Sequence, residues 1–189
     1  MKTSAILTHY ERVSGKVKSA KIDYTIFIVE DSNSTRIWLQ HFLERMPNCT
    51  DENRPNCKVL SFETGEECLN NLDLKPDIVI LDYFLDSDKP DADNGLLVLR
   101  RIKKALPKAQ VIIMSSQQNV MVTSELFASG AFDYISKEHY ANARVEQSVL
   151  KAIEFIKHNK KIAQENNRLN LILFLFGILI GSFLMYKFF

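Results

Sequence analysis

The sequence has little of several features that mark common functional classes. Its 189 residues carry a formal net charge of only +1, so composition indicates no general affinity for nucleic acid. No GxGxxG or GxxxxGK[ST] motif follows the first strand-like segment, which argues against a dinucleotide site or a P-loop. The three cysteines form no CxxC pair, and an odd number cannot all pair within the chain. Reduced thiols in a cytosolic domain are therefore favoured over a disulfide between Cys49 and Cys57.

The amino-terminal segment also lacks an apolar core. Residues 1–22 are polar and rich in lysine, so we expect no secretory signal peptide there. We expect this segment to be a disordered extension.

The carboxyl-terminal segment is strongly apolar instead. No charged residue occurs from Leu171 to Tyr186, and residues 169–189 would form about 31 Å of helix, close to the ~30 Å thickness of the hydrocarbon core. The segment is apolar on every face, whereas a core helix of a small domain keeps a polar stripe. The sequence therefore predicts a transmembrane helix rather than a buried core helix.

A basic linker is predicted just before this segment, over residues 158–168. Cationic residues precede the apolar segment (Lys157, Lys160, Lys161 and Arg168), and only Lys187 lies near its far end. The positive-inside rule then places the rest of the chain in the cytoplasm, as a C-terminal single-pass anchor. Gly177 and Gly181 form a GxxxG pattern that allows a homodimer, and the basic flank alternatively suits anionic lipid head groups. No proline or glycine lies between Tyr140 and Phe176, so the last helix can continue into the membrane.

The region from 23 to 157 alternates strand-like and helix-like patterns. Short runs rich in Val, Ile and Phe occur at 24–30, 57–62, 77–82, 110–115 and 131–136. Helix patterns follow them at 34–46, from Thr64, at 95–106, at 119–129 and from about Asn142. Five strands alternating with five helices predict an α/β fold, a flavodoxin-like doubly wound parallel sheet of order 2-1-3-4-5.

Functional groups come at the carboxyl ends of these strands. Glu30 and Asp31 end the first strand, Asp82 the third and Ser115 the fourth, and Lys137 follows the fifth. In a 2-1-3-4-5 sheet these positions are neighbours, so three carboxylates, a hydroxyl and an ammonium group should converge.

This set of groups suits phosphoryl transfer to Asp82. Clustered carboxylates need a cation among them, and Mg²⁺ prefers one or two carboxylates with phosphate oxygens and water. Asp82 can then act as a carboxylate nucleophile and form an aspartyl phosphate. Lys137 would pair with Asp82 or with the phosphoryl oxygens, and Ser115 would donate to one of those oxygens.

From about Tyr24 to Lys157 the chain resembles the receiver domains of two-component response regulators. The motifs are "IFIVEDS", "DIVILDYFL", "VIIMSSQ" and "GAFDYISK". The resemblance implies that Asp82 is the phosphoacceptor and that Ser115 and Tyr134 are switch residues. It also implies that the backbone carbonyl of Phe84 joins Glu30, Asp31 and Asp82 as a Mg²⁺ ligand. The implied partner is a sensor histidine kinase or a phosphotransfer protein.

Two departures from the family pattern stand out. The family usually has Lys-Pro, often with a cis bond, where this chain has Lys137-Glu138. Since a cis non-proline bond costs about 2.5–4 kcal/mol, the peptide is either trans with a rearranged loop or strained. The loop after Asp82 is about five residues longer than usual and is rich in aspartate between Asp86 and Asp93. It is either a solvated loop with a helix cap from Asp93 or Asn94, or a second cation or partner site.

Three functions compete. The leading hypothesis is a membrane-tethered phosphoacceptor that is not an enzyme and signals through protein contacts, since no segment is predicted to bind DNA. The alternative is a receiver-like binding module that signals without phosphorylation. An aspartate-nucleophile hydrolase is disfavoured because such enzymes typically carry Asp-x-Asp, and this chain has Phe84 at the second position.

Overall fold

A five-stranded parallel sheet forms the centre of the protein. The computed structural model describes residues 22–46, 56–85, 94–116, 120–137 and 141–188. The strands are β1 (Tyr24–Val29), β2 (Cys57–Phe62), β3 (Ile78–Asp82), β4 (Gln110–Ser115) and β5 (Ala131–Ser136). Their order is β2-β1-β3-β4-β5, and all neighbours are parallel. The predicted doubly wound fold and its strand order are confirmed.

Helices connect the strands close to the predicted positions. They are α1 (Asn33–Arg45), α2 (Gly65–Asn70), α3 (Gly95–Ala105), α4 (Val120–Ala128) and α5 (Ala141–Phe188). A short 3-10 turn at Leu72–Leu74 was not predicted, and it ends at Lys75 in the left-handed region with φ 52°.

Side-chain caps fix where three of the helices begin. Ser32, Thr64 and Asn94 accept hydrogen bonds from the backbone amides of Thr35, Glu67 and Leu97. These bonds satisfy amides that have no partner within the helix. Of the two predicted caps for α3, Asn94 is the one that the structure shows.

The core has two layers because side chains alternate between the faces of each strand. On one face, Ile26 and Ile28 of β1 pack with residues of α1 and α5. On the other face, Phe27 and Val29 pack with residues of α2, α3 and α4. The helices therefore cover both faces, and the sheet edge at the carboxyl ends of the strands is left for polar side chains.

Helix α5 extends well beyond the sheet. Its buried stripe (Val145, Val149, Ala152, Ile153 and Ile156) packs in the first core layer. From Lys157 onward the described side chains are exposed, including the predicted linker at 158–168, which is helical. The segment Asn142–Phe183 is long and apolar enough to cross a membrane by length and composition, and none of its most apolar window is buried.

Several sequence predictions fall outside the described residues. These are the disordered extension (1–21), the Asp86–Asp93 loop, the isomer of the Lys137–Glu138 peptide and any pairing of Cys49. Cys68 is a buried free thiol. Burial raises the pKa of the Cys68 thiol to about 12, which disfavours the reactive thiolate.

Candidate functional site

Three carboxylates meet at the carboxyl ends of β1 and β3. The two strands pair with Val29 opposite Leu81, so Glu30 and Asp82 follow at adjacent positions. One oxygen from each of Glu30, Asp31 and Asp82 lies within 4.8 Å of the others. Glu30 and Asp82 are only 1% and 4% exposed. The predicted convergence of these three residues is observed.

Lys137 lies against two of these carboxylates. Its Nζ donates to Asp82 Oδ2 at 2.6 Å and to Glu30 Oε2 at 2.8 Å. The position of Lys137 is set by its backbone amide, which donates to the Ser115 carbonyl at 2.8 Å and so continues the β4–β5 pairing. The sequence predicts that Lys137 lies near the three carboxylates and pairs with Asp82, whereas its direct contact with Glu30 was not predicted.

Burial dominates the electrostatics of this cluster. Burial raises the pKa of the Asp82 and Glu30 carboxyls above their ordinary values, and their hydrogen bonds to Lys137 offset this only in part. Burial lowers the pKa of Lys137, but the hydrogen bonds to Asp82 and Glu30 outweigh that effect and leave it raised. The charge of Lys137 therefore offsets only part of the cost of burying the two carboxylates, and a further cation at the site would be favourable.

The donor atoms fit a hard divalent cation such as Mg²⁺. All three side chains offer carboxylate oxygens, the ligand type that Mg²⁺ takes in proteins. Glu30 Oε1 is buried without a hydrogen-bond partner among the described residues, although a buried oxygen normally has one. A bound cation is one partner that would satisfy this oxygen.

The backbone after Asp82 is held tightly. The Phe84 amide donates to Asp82 Oδ1 at 3.2 Å, and the Tyr83 amide donates to the Met114 carbonyl at 2.8 Å. The Gly95 amide donates to the Tyr83 carbonyl at 2.9 Å, which places the start of α3 directly on this turn. A Cβ at Gly95 would lie 2.6 Å from the Asp82 carbonyl oxygen and 2.7 Å from Tyr83 Cα. Only glycine fits so close to the backbone here.

The turn that carries Glu30 and Asp31 is held by Arg36, which sequence reasoning missed. Its Nη1 donates to the Glu30 carbonyl at 2.7 Å and to the Asp31 carbonyl at 3.2 Å. Its Nη2 donates to Glu63 Oε2 at 3.3 Å, in the segment after β2. In the sequence, the feature that could have indicated this role is an arginine in the first turn of the helix that follows Glu30 and Asp31.

The two predicted switch residues lie on β4 and β5. Ser115 is buried at the carboxyl end of β4, one residue beyond Met114, which pairs with Asp82. Tyr134 is partly buried and packs against the core layer of α2, α3 and α4. Ser115 therefore lies on the strand next to β3, whereas Tyr134 lies one strand further away, and their roles as switches stay a prediction.

Comparisons with known proteins agree on one family. Residues 26–149 match the family described as the response regulator receiver domain. The transcriptional regulator NtrC of Klebsiella pneumoniae is 29% identical over 143 residues, which are 75% of this chain and 26% of that protein. A protein-glutamate methylesterase/protein-glutamine glutaminase of Thermotoga maritima is 27% identical over 117 residues, which are 60% of this chain and 30% of that enzyme.

A solved structure shows the same fold. The signal receiver domain of a putative Luxo repressor protein from Vibrio parahaemolyticus is 26% identical, with a TM-score of 0.61. The similarity covers 74% of this chain and 96% of that domain. This chain thus spans only about a quarter to a third of the two curated relatives. The region that matches the family, residues 26–149, contains Glu30, Asp31 and Asp82.

Proposed function

Because the chain belongs to the response regulator receiver family of two-component signalling, we propose that it accepts a phosphoryl group on Asp82 while α5 tethers it to a membrane. The observation that supports this proposal most strongly is the contact of Lys137 with two buried carboxylates. Lys137 Nζ bridges Asp82 and Glu30, beside a buried Glu30 oxygen that has no partner among the described residues. Lys137 offsets part of the cost of burying the anionic nucleophile, and the part that is not offset favours the binding of a second cation.

Asp82 is the proposed nucleophile. One of its carboxylate oxygens attacks the phosphorus of the donor, and the bond to the donor's leaving atom breaks as the new oxygen–phosphorus bond forms. The Phe84 amide and Lys137 hold the carboxylate in a fixed orientation, so little reorganisation is needed for attack. The charge of Lys137 then lies beside the three equatorial oxygens of the transferring phosphoryl group, which carry the negative charge during transfer.

Glu30, Asp31, Asp82 and the Phe84 carbonyl are the proposed ligands of Mg²⁺. When bound, the ion supplies positive charge that offsets the anionic oxygens of the incoming phosphoryl group. The protein's contribution is to keep two carboxylates buried and oriented by Lys137 and Arg36.

Ser115 and Tyr134 are the proposed switch. A new phosphoryl oxygen on Asp82 gives the Ser115 hydroxyl an acceptor at the adjacent strand end, which favours movement of the β4–α4 connection. Tyr134 lies on the next strand and packs in the neighbouring core layer, so it is placed to respond to that movement.

The proposed partners follow from the family and from α5. The phosphodonor is a sensor histidine kinase or a phosphotransfer protein, and the signal leaves through protein contacts of the receiver. Anchoring through α5 keeps the receiver in the cytoplasm at the surface of the membrane, which raises its effective concentration near membrane-bound partners.

Transfer to Asp82 is tested by intact mass spectrometry. The full-length chain in detergent or lipid discs, incubated with acetyl phosphate and Mg²⁺, is expected to gain the mass of one phosphoryl group. Asp82→Asn should gain none, and Asp73→Asn, an exposed aspartate far from the cluster, should behave as wild type. No gain in wild type, or an equal gain in Asp82→Asn, would contradict the proposal and favour a binding module that signals without phosphorylation.

Magnesium alone is expected to stabilise the receiver. A ligand that binds only the native state at about 100 times its Kd adds about 2.7 kcal/mol to the free energy of unfolding. The melting temperature of wild type should therefore rise as Mg²⁺ is added, whereas Asp31→Asn, which removes one of the three carboxylates, should show little rise. Equal rises in both proteins would mean that the ion acts elsewhere.

A further inference from the structure

Helix α5 leaves the receiver at the sheet edge opposite to the acidic cluster. It begins after β5 at the carboxyl-end edge, and by Lys160 it has reached the amino ends of two other strands. Lys160 Nζ lies 3.6 Å from Asp77 Oδ1, just before β3, and 5.2 Å from the ring centre of Tyr24, the first residue of β1. The apolar part of α5 therefore extends from the amino-end edge, which we term the base.

The base is predominantly cationic. Its exposed basic side chains are Arg45, Lys75, Lys104, Lys108, Lys160 and Lys161. Four acidic residues lie on the same edge within the described ranges, namely Asp23, Glu44, Asp73 and Asp77. Asp77 pairs with Lys160, and the six cations outnumber the four carboxylates.

Helix dipoles account for only part of this charge. Arg45 and Lys104 lie in last helical turns, where a cation is favourable by itself. Lys75 and Lys108 lie in turns that precede β3 and β4, and Lys160 and Lys161 lie in the interior of α5. The helix dipole does not explain cations at these four positions. What the four residues share is their location at the base.

The length of α5 brings the base close to a bilayer. From Lys160 to Leu169, where the apolar segment begins, nine residues of helix rise about 14 Å. The head-group layer takes about 5–8 Å of that distance. The remaining gap is comparable to the Debye length of about 8 Å, so charges on the base interact with charges on the membrane surface.

We propose that the base is a docking surface for anionic lipid head groups of the membrane that holds α5. This proposal rests on the proposed tethering. Charge complementarity selects the occupant, because the cationic edge faces the lipid and the edge that carries Glu30, Asp31 and Asp82 faces away. Phosphodonor proteins then approach the acidic cluster from the aqueous side.

Lysine reactivity in lipid discs tests this surface. The full-length chain is placed in discs of phosphatidylcholine alone, or of equal parts phosphatidylcholine and phosphatidylserine, and each lysine's acetylation rate is followed by peptide mass spectrometry. The surface potential of a membrane rich in phosphatidylserine, about −50 mV, falls about e-fold over one Debye length, so the free-amine fraction of a lysine on the base falls about twofold. Lys104 and Lys108 should therefore react about twofold more slowly in anionic discs, and high salt should remove the difference. Lys151, exposed on α5 nine residues before Lys160, is the internal control.

The outcomes separate the two proposals. If the chain does not remain with the discs, the tether fails and the docking surface fails with it. If the chain remains with the discs but Lys104 and Lys108 react equally in both lipids, the docking surface is wrong and the tether stands. Slowing of Lys151 to the same extent would also contradict it, because the effect would not be specific to the base.

Discussion

Lys137→Ala is expected to lower the free energy of unfolding by about 3 kcal/mol in the absence of Mg²⁺. The substitution leaves Glu30 and Asp82 buried side by side without a cation, and breaking a buried ion pair in this way costs about 3–5 kcal/mol. We take the lower end because the Lys137 side chain is 22% exposed. Phosphorylation of Asp82 should also slow about 100-fold, since a charged donor to the transferring group is lost.

Denaturation followed by fluorescence of Trp38 measures the first effect. Trp38 is the one tryptophan of the chain, and it stacks on Phe42 beside the core. Lys151→Ala, which removes an exposed lysine, should change stability by no more than about 0.5 kcal/mol. Added Mg²⁺ should restore part of the free energy of unfolding that Lys137→Ala loses. A loss of less than about 1 kcal/mol would show that the carboxylates do not depend on Lys137.

Gly95→Ala is expected to lower the free energy of unfolding about as much as Lys137→Ala does, although it adds only one methyl group. The new Cβ would lie 2.6 Å from the Asp82 carbonyl oxygen, and the atoms it meets are backbone rather than a flexible side chain. Overpacking typically costs about 1–3 kcal/mol, and a clash with backbone falls at the upper end, about 3 kcal/mol. The turn after Asp82 must also shift, so phosphorylation should fall together with stability.

Gly177→Ala is the matched control. It makes the same chemical change in a helix where an added Cβ meets nothing within 4 Å. Both variants are compared by the denaturation midpoint and by the rate of mass gain with acetyl phosphate and Mg²⁺. Wild-type stability and rate in Gly95→Ala would mean that the start of α3 is free to move away from Asp82.

The sequence predicted the sheet well because its signals are local. The bounds of β2, β4 and β5 were predicted to the residue, since each is a short run of apolar residues bounded by polar ones or turns. Strand order followed from the alternation of strands and helices, which leaves few topologies. That order in turn placed Glu30, Asp31 and Asp82 at one edge.

Other features depend on contacts that no local pattern encodes. Arg36 binds the carbonyls of the acidic turn, and Lys137 binds Glu30 across 107 positions of sequence. The need for glycine at position 95 arises from the backbone of β3, not from its own helix. Such requirements appear only when the elements are packed together.

The continuity of α5 also sets a rotational relationship between its two halves. Gly177 and Gly181 come 21 and 25 residues after Ile156, and at about 100° per residue they lie within about 60° and 20° of it around the helix axis. Ile156 faces the receiver core, so both glycines lie on the side of α5 that the receiver occupies. A second α5 that paired through these glycines would lie on the side of the helix that the first receiver already occupies. Dimerisation through Gly177 and Gly181 therefore requires a bend in α5 above the membrane, and one residue inserted there would turn the glycines away by about 100°.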